Sequence, residues 1–108
     1  VTDNDFGYIK ITTEMLEKYD VDEATAGNVI NKFNYINELL VWAVFTEDVK
    51  NNNIRGSIRS RGPIVNKVVE KFNGGGHIYA SGVRAKDFDE IDLLINDLDE
   101  VCKQYKEL

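Results

Sequence analysis

The chain has 108 residues, 43% of them hydrophobic and 30% charged, which is the size and balance of one modest soluble domain. No apolar run is long enough to cross a bilayer, and Val1 to Asp5 has neither the basic region nor the apolar core of a secretion signal, so a cytoplasmic protein with no membrane partner is expected. One cysteine and one histidine exclude an internal disulfide and a cysteine-based zinc site, and they leave no convergent ligand set for a catalytic metal in this chain.

The net charge of −6 argues against a long nucleic-acid duplex, but its distribution is uneven. Between Ile54 and Lys86 seven basic residues (Arg55, Arg59, Arg61, Lys67, Lys71, Arg84, Lys86) face one acid, Glu70, so this window carries +6 and the remainder −12. A basic island in an acidic body favours a compact anionic ligand.

In chain order, Phe6, Tyr8 and Ile9 to Ile11 predict a short strand, followed by a helical turn from Thr13 to Tyr19. Asp22 caps a predicted second helix in which Ala26, Val29, Ile30 and Phe33 recur at helical spacing. Leu39 to Thr46 is apolar without alternation, as expected of a strand covered on both faces and serving as the spine of the sheet. Lys50 to Asn53 is turn chemistry and predicts a hairpin. In the strand that follows, Ile54 to Arg61, Ile54, Gly56 and Ile58 point one way, and Arg55, Ser57, Arg59 and Arg61 point the other.

Gly62-Pro63 predicts a helix start, with Ile64, Val65, Val68, Val69 and Phe72 as its buried stripe and a stop at Asn73 and the glycines. Ala80 to Ala85 predicts a short strand. Asp87 to Glu90 has the spacing of a capping box and opens the longest helix, with Ile91, Leu94, Ile95, Leu98, Val101, Cys102 and Tyr105 on one side and acids on the other. Cys102 is then a buried, inert thiol. The whole predicts a single α+β domain over residues 1–108, a small mixed sheet with helices packed on it.

Residues 73 to 82, Asn-Gly-Gly-Gly-His-Ile-Tyr-Ala-Ser-Gly, demand a physical reason, because three consecutive glycines lose much backbone freedom on folding. Bare backbone lets a ligand approach the main-chain N–H groups, and His77 stands ready to complete the grip. A helix N-terminus at Pro63, the arginine forks of Arg59 and Arg61, and this loop together suit a phosphate. Asn66 offers an amide to a sugar or base edge, or is simply a solvated helix residue. A tight turn with a bystander histidine is the plain alternative for the loop. A solvated face is the plain alternative for Arg55 and Arg84, and Tyr79 either stacks on a base or covers the loop.

Ile58 to Lys67, then Phe72, Gly74-Gly75-Gly76-His77 and Ala80-Ser81-Gly82, resemble the DHH-associated domain, first subfamily, the C-terminal domain of DHH-family phosphoesterases. The likeness extends over essentially the whole chain, and it is greatest to the bacterial oligoribonuclease and adenosine 3′,5′-bisphosphate phosphatase branch. It implies a substrate-binding domain in which Arg59, Ser60, Arg61 and His77 bind the phosphate or base of a nucleotide or a short single-stranded oligonucleotide and Gly74, Gly75 and Gly76 let it lie against the backbone; Asn66, Ala80 and Ser81 are taken with them as candidate substrate contacts. It also implies two manganese ions in a separate N-terminal domain that carries the Asp-His-His motif. That motif is absent here and the chain starts at Val1 without a methionine, so an excised domain with no catalytic residue of its own is expected. Two departures stand out: Asn73 occupies the place of a first glycine, and Ile78-Tyr79 follows the histidine where Pro-Leu is common. The alternatives are a nucleic-acid-binding or dimerising appendage, like the C-terminal domain of alanyl-tRNA synthetase, and a nucleotide-sensing domain without catalysis.

Overall fold

The structure is a computed structural model that describes residues 2–14 and 39–108. Five strands, β1 (Phe6–Ile11), β2 (Val41–Asp48), β3 (Asn53–Ser60), β4 (Gly75–His77) and β5 (Ala80–Ala85), form one sheet in the order β1-β2-β3-β5-β4. β1 runs parallel to β2 and the remaining pairs are antiparallel. Two helices, α1 (Asn66–Glu70) and α2 (Phe88–Lys106), complete the described part of an α+β domain with a mixed sheet. The helix predicted from Asp22 lies outside the described residues, as does the turn from Thr13 to Tyr19 beyond Glu14.

The period-two pattern of β3 sets up the domain's two faces. Ile54, Gly56, Ile58 and Ser60 are buried on one face, while Asn53, Arg55, Ser57 and Arg59 occupy the other. On the buried face Phe6, Val41, Ala43, Phe45, Ile58 and Val83 join Ile91, Leu94, Leu98 and Cys102 of α2 and Val65 and Val69 beside α1 in one apolar cluster. Gly56 keeps this layer close: a Cβ there would stand 2.7 Å from Val83 and 2.9 Å from the Phe45 ring. Burial pushes the Cys102 thiol up to about 12, an inert group as expected.

β2 is buried along nearly its whole length, consistent with cover on both faces, although β3 holds the middle of the sheet. Its turn back into β3 uses Asn52 at φ 53°. At the start of α2 the Asp87 carboxylate accepts the Glu90 N–H at 3.0 Å, the cap its spacing predicted. Tyr105, expected on the buried side of α2, is partly exposed and lies over Gly62.

Two expectations are corrected. The helix does not begin at Pro63: α1 is only five residues long and starts at Asn66, with no side-chain cap. The Ser60 hydroxyl donates to the Pro63 carbonyl at 2.6 Å and accepts the Gly62 N–H at 3.1 Å, and the Val65 N–H donates to the Ile78 carbonyl at 3.0 Å. These bonds hold residues 60–65 as a turn and engage the Gly62 and Val65 N–H groups, and Ile64 is exposed. The second correction is the glycine segment, which is a strand, β4, paired with β5 at the sheet edge.

Candidate functional site

Strand register builds the site, because residues paired across neighbouring strands project from the same face. Three rows cross the face opposite the main core. His77, Ala80, Arg59 and Trp42 form the first; Gly75, Gly82, Ser57 and Val44 the second; Arg84, Arg55 and Thr46 the third. The middle row is nearly bare at β4 and β5. A Cβ at Gly75 would meet nothing within 4 Å, and at Gly82 only the Gly56 carbonyl at 3.6 Å; neither residue has a positive φ. Packing and backbone conformation therefore give no reason for glycine at these two positions, and the floor they leave is open to a flat or anionic ligand.

The neighbouring glycines differ. Gly74 is packed against backbone, since a Cβ there would stand 2.5 Å from the Gly82 carbonyl and 3.1 Å from that of Val69. Gly76 has φ 139°, in the region open to glycine alone. Asn73 has φ 63°, so asparagine supplies the left-handed conformation that leads into the glycines.

The hairpin of β4 and β5 is fixed beside the arginines. The Ser60 N–H donates to the Tyr79 carbonyl at 2.9 Å, and the Ser81 hydroxyl donates to the His77 carbonyl at 2.7 Å. His77 is exposed, with the Tyr79 ring 6.5 Å away and tilted by 52°. The Arg61 guanidinium lies 4.8 Å from the centre of the Trp42 ring, a cation–π contact that anchors it near Arg59. Arg59 donates to the Ile58 carbonyl at 3.1 Å, and among the described residues no carboxylate pairs with it.

The structure thus brings Arg59, Arg61, Gly75, His77 and Ala80 to one face. Ser60 and Ser81 are buried, and their hydroxyls are bonded to the main chain, where they shape the turn and the hairpin. Gly74 and Gly76 set the course of the backbone. Asn66 opens α1 with its Oδ1 buried and without a partner among the described residues.

Sequence reasoning passed over Gly82 and Ser57 as floor, and for Arg84 it weighed ligand contact against a solvated face without foreseeing a side-chain partner. Arg84 donates to the Asp48 carboxylate at 2.7 Å and to the Asn53 side-chain Oδ1 at 3.2 Å. Hydrogen bonds from the Asn51 side chain and from Arg84 hold the Asp48 carboxyl down, from its ordinary 3.8 to about 2. A lowered folded-state pKa contributes stability in full above the ordinary value and loses it as pH falls through the folded one. Stability is expected to decline between about pH 4 and pH 2 through this group, and Asp48→Asn should flatten that decline in urea titrations across the range. Parallel curves for the two proteins would show that Asp48 contributes nothing.

Comparison with known proteins places the chain in a family and shows its fold elsewhere. The family profile described as the DHHA1 domain matches residues 8–104. The chain is 31% identical over 106 residues to the bifunctional oligoribonuclease and PAP phosphatase NrnA of Bacillus subtilis (strain 168), covering 98% of this chain and 33% of that protein. It spans about a third of the length of the curated relatives it matches. An exopolyphosphatase-related protein from Bacteroides fragilis superposes with a TM-score of 0.76 at 23% identity, over 95% of this chain and 32% of the other. The C-Ala domain of Aquifex aeolicus alanyl-tRNA synthetase superposes with a TM-score of 0.63 at 13% identity, over 90% of this chain and 89% of that domain. These two structures share the fold.

Proposed function

The chain belongs to the DHHA1 domain family, and from that premise we propose that it is the substrate-binding domain of a DHH-type phosphoesterase acting on short oligonucleotides or nucleoside 3′,5′-bisphosphates. The observation that carries the proposal is the bare middle row: Gly75 and Gly82 lack side chains without any demand from packing or backbone, directly beside Arg59 and His77. A phosphate set there receives the planar donor fork of Arg59 and a ring N–H of His77. The sugar or base lies against the glycine floor. Arg61, held on Trp42, adds positive charge to the same end of the face. The 31% identity to an oligoribonuclease and PAP phosphatase supports this substrate class.

Bond cleavage in this proposal belongs to a separate N-terminal domain, where two manganese ions would supply Lewis-acid activation of water and charge neutralisation. Among the described residues no three His, Cys, Asp or Glu side chains converge to hold a metal, so no metal step is assigned to this chain. Its residues bind the phosphate, orient the nucleotide and complement its charge.

The test compares residues 1–108 with the full-length protein, each with manganese and a 5′-phosphorylated diadenylate. Turnover is expected from the full-length protein only. Sustained hydrolysis by residues 1–108, or a full-length protein that neither binds nor cleaves the dinucleotide, overturns the proposal. Binding to tRNA with no phosphoesterase activity points instead to a synthetase-like appendage.

A further inference from the structure

His77 ends β4 at a point where the neighbouring sequence supplies little to hold it. Gly74, Gly75 and Gly76 precede it, so no side chain on that side packs to fix the course of the chain, and Gly76 has φ 139°. His77 pairs with Ala80 across a two-residue loop, Ile78-Tyr79. Such loops match the twist of their strands when one or both loop residues have a positive φ. Neither Ile78 nor Tyr79 has one. The hairpin end that carries the imidazole therefore depends on bonds from beyond the loop.

Three such bonds fall on three consecutive carbonyls. The Ile78 carbonyl accepts from the Val65 N–H at 3.0 Å, the Tyr79 carbonyl from the Ser60 N–H at 2.9 Å, and the His77 carbonyl from the Ser81 hydroxyl at 2.7 Å. Only the last of these donors is a side chain, and it bonds the histidine's own peptide group. Ser81 is 3% exposed and pairs with Ile58, so its side chain lies on the core side of the sheet, while His77, in the row of Ala80 and Arg59, is exposed on the other. The hydroxyl thus reaches the histidine from behind, through its backbone, and does not face a ligand on the arginine side.

The structure assigns Ser81 to a positioning role: its hydroxyl fixes the His77 peptide, and so the point from which the imidazole extends toward a phosphate at Arg59. The inference rests on the phosphate contact proposed above for His77. It adds that this contact is set by a buried residue on the opposite face of the sheet. Ser81→Ala removes one hydroxyl without altering the surface the ligand meets, so its cost in binding is transmitted through His77.

The test joins two measurements on the full-length protein and its Ser81→Ala, His77→Ala and double variants. Hydrogen exchange followed by mass spectrometry should show peptides spanning residues 74–81 exchanging faster in Ser81→Ala, with those of β2 and β3 unchanged as the mark of an intact fold. Titration calorimetry uses 5′-phosphorylated diadenylate, with EDTA present to prevent hydrolysis. Ser81→Ala should weaken binding about three- to tenfold in the parent, the loss typical of one hydrogen bond, and add nothing in the His77→Ala background. Unchanged exchange over residues 74–81, or faster exchange throughout the sheet, refutes the positioning role. A loss of affinity equal in both backgrounds, or absent from both, refutes it as well. A His77→Ala protein that binds the dinucleotide like the parent overturns the phosphate contact itself and the role of Ser81 with it, whereas the other adverse results leave that contact standing.

Discussion

Alanine at Gly74 is expected to destabilise the domain by about 3 kcal/mol, whereas alanine at the adjacent Gly75 is expected to stabilise it slightly. At Gly74 the new methyl group collides with the Gly82 carbonyl at 2.5 Å and crowds that of Val69 at 3.1 Å, and backbone does not yield as a side-chain tip would. In a domain of this size the loss corresponds to a fall in Tm on the order of 10–20 °C. At Gly75 the methyl group enters open space in an ordinary conformation, so the entropy removed from the unfolded chain contributes roughly 0.4–1 kcal/mol. The same methyl group occupies the floor where the ligand lies, so Gly75→Ala should bind short oligonucleotides at least tenfold more weakly despite its higher Tm. Thermal melts and binding titrations of both variants check the pair, and a Gly75→Ala protein with unchanged affinity would mean that the glycine floor carries no ligand.

Arg59→Ala in the full-length protein should raise KM by about 10- to 100-fold, the equivalent of roughly 1.5–3 kcal/mol for a charge-assisted hydrogen bond, with the fold intact. His77→Ala should act in the same direction. Because both groups hold substrate away from the bond that breaks, the loss should appear in KM with kcat little changed, the pattern of uniform binding. Normal KM in both variants excludes this face as the binding site. A collapse of kcat at constant KM assigns them to the chemical step instead.

The parts of the fold legible in the sequence were those set by local pattern. The alternation of Ile54 to Ser60 fixed which arginines share a face, and the apolar spacing of Ile91 to Cys102 fixed the buried side of α2. The same alternation, applied to Ser60, places it with Ile58 on the core side; that signal was present and pointed away from the solvent-facing row. What stayed hidden depends on partners distant in sequence. Gly75-Gly76-His77 has no strand propensity of its own and becomes a strand only because β5 presents an edge to pair with it. The segment after β3 reads as a helix start from its proline, yet hydrogen bonds to the β4–β5 hairpin hold it as a turn. The opposition of Arg55 and Arg84 becomes visible only once the register between β3 and β5 is known.

The separation of the two faces has a kinetic consequence. Among the described residues the arginines lie on one side of the sheet, while the acids on the outer side of α2, including Asp89, Asp92 and Glu100, lie beyond the core on the other. Such a molecule is an electric compass. In the field of an approaching polyanion it experiences a torque that turns the arginine side forward, so that encounters arrive already oriented. At physiological ionic strength this guidance acts over about 8 Å, the screening length, which confines it to the final approach and makes the rate of capture fall as salt is added.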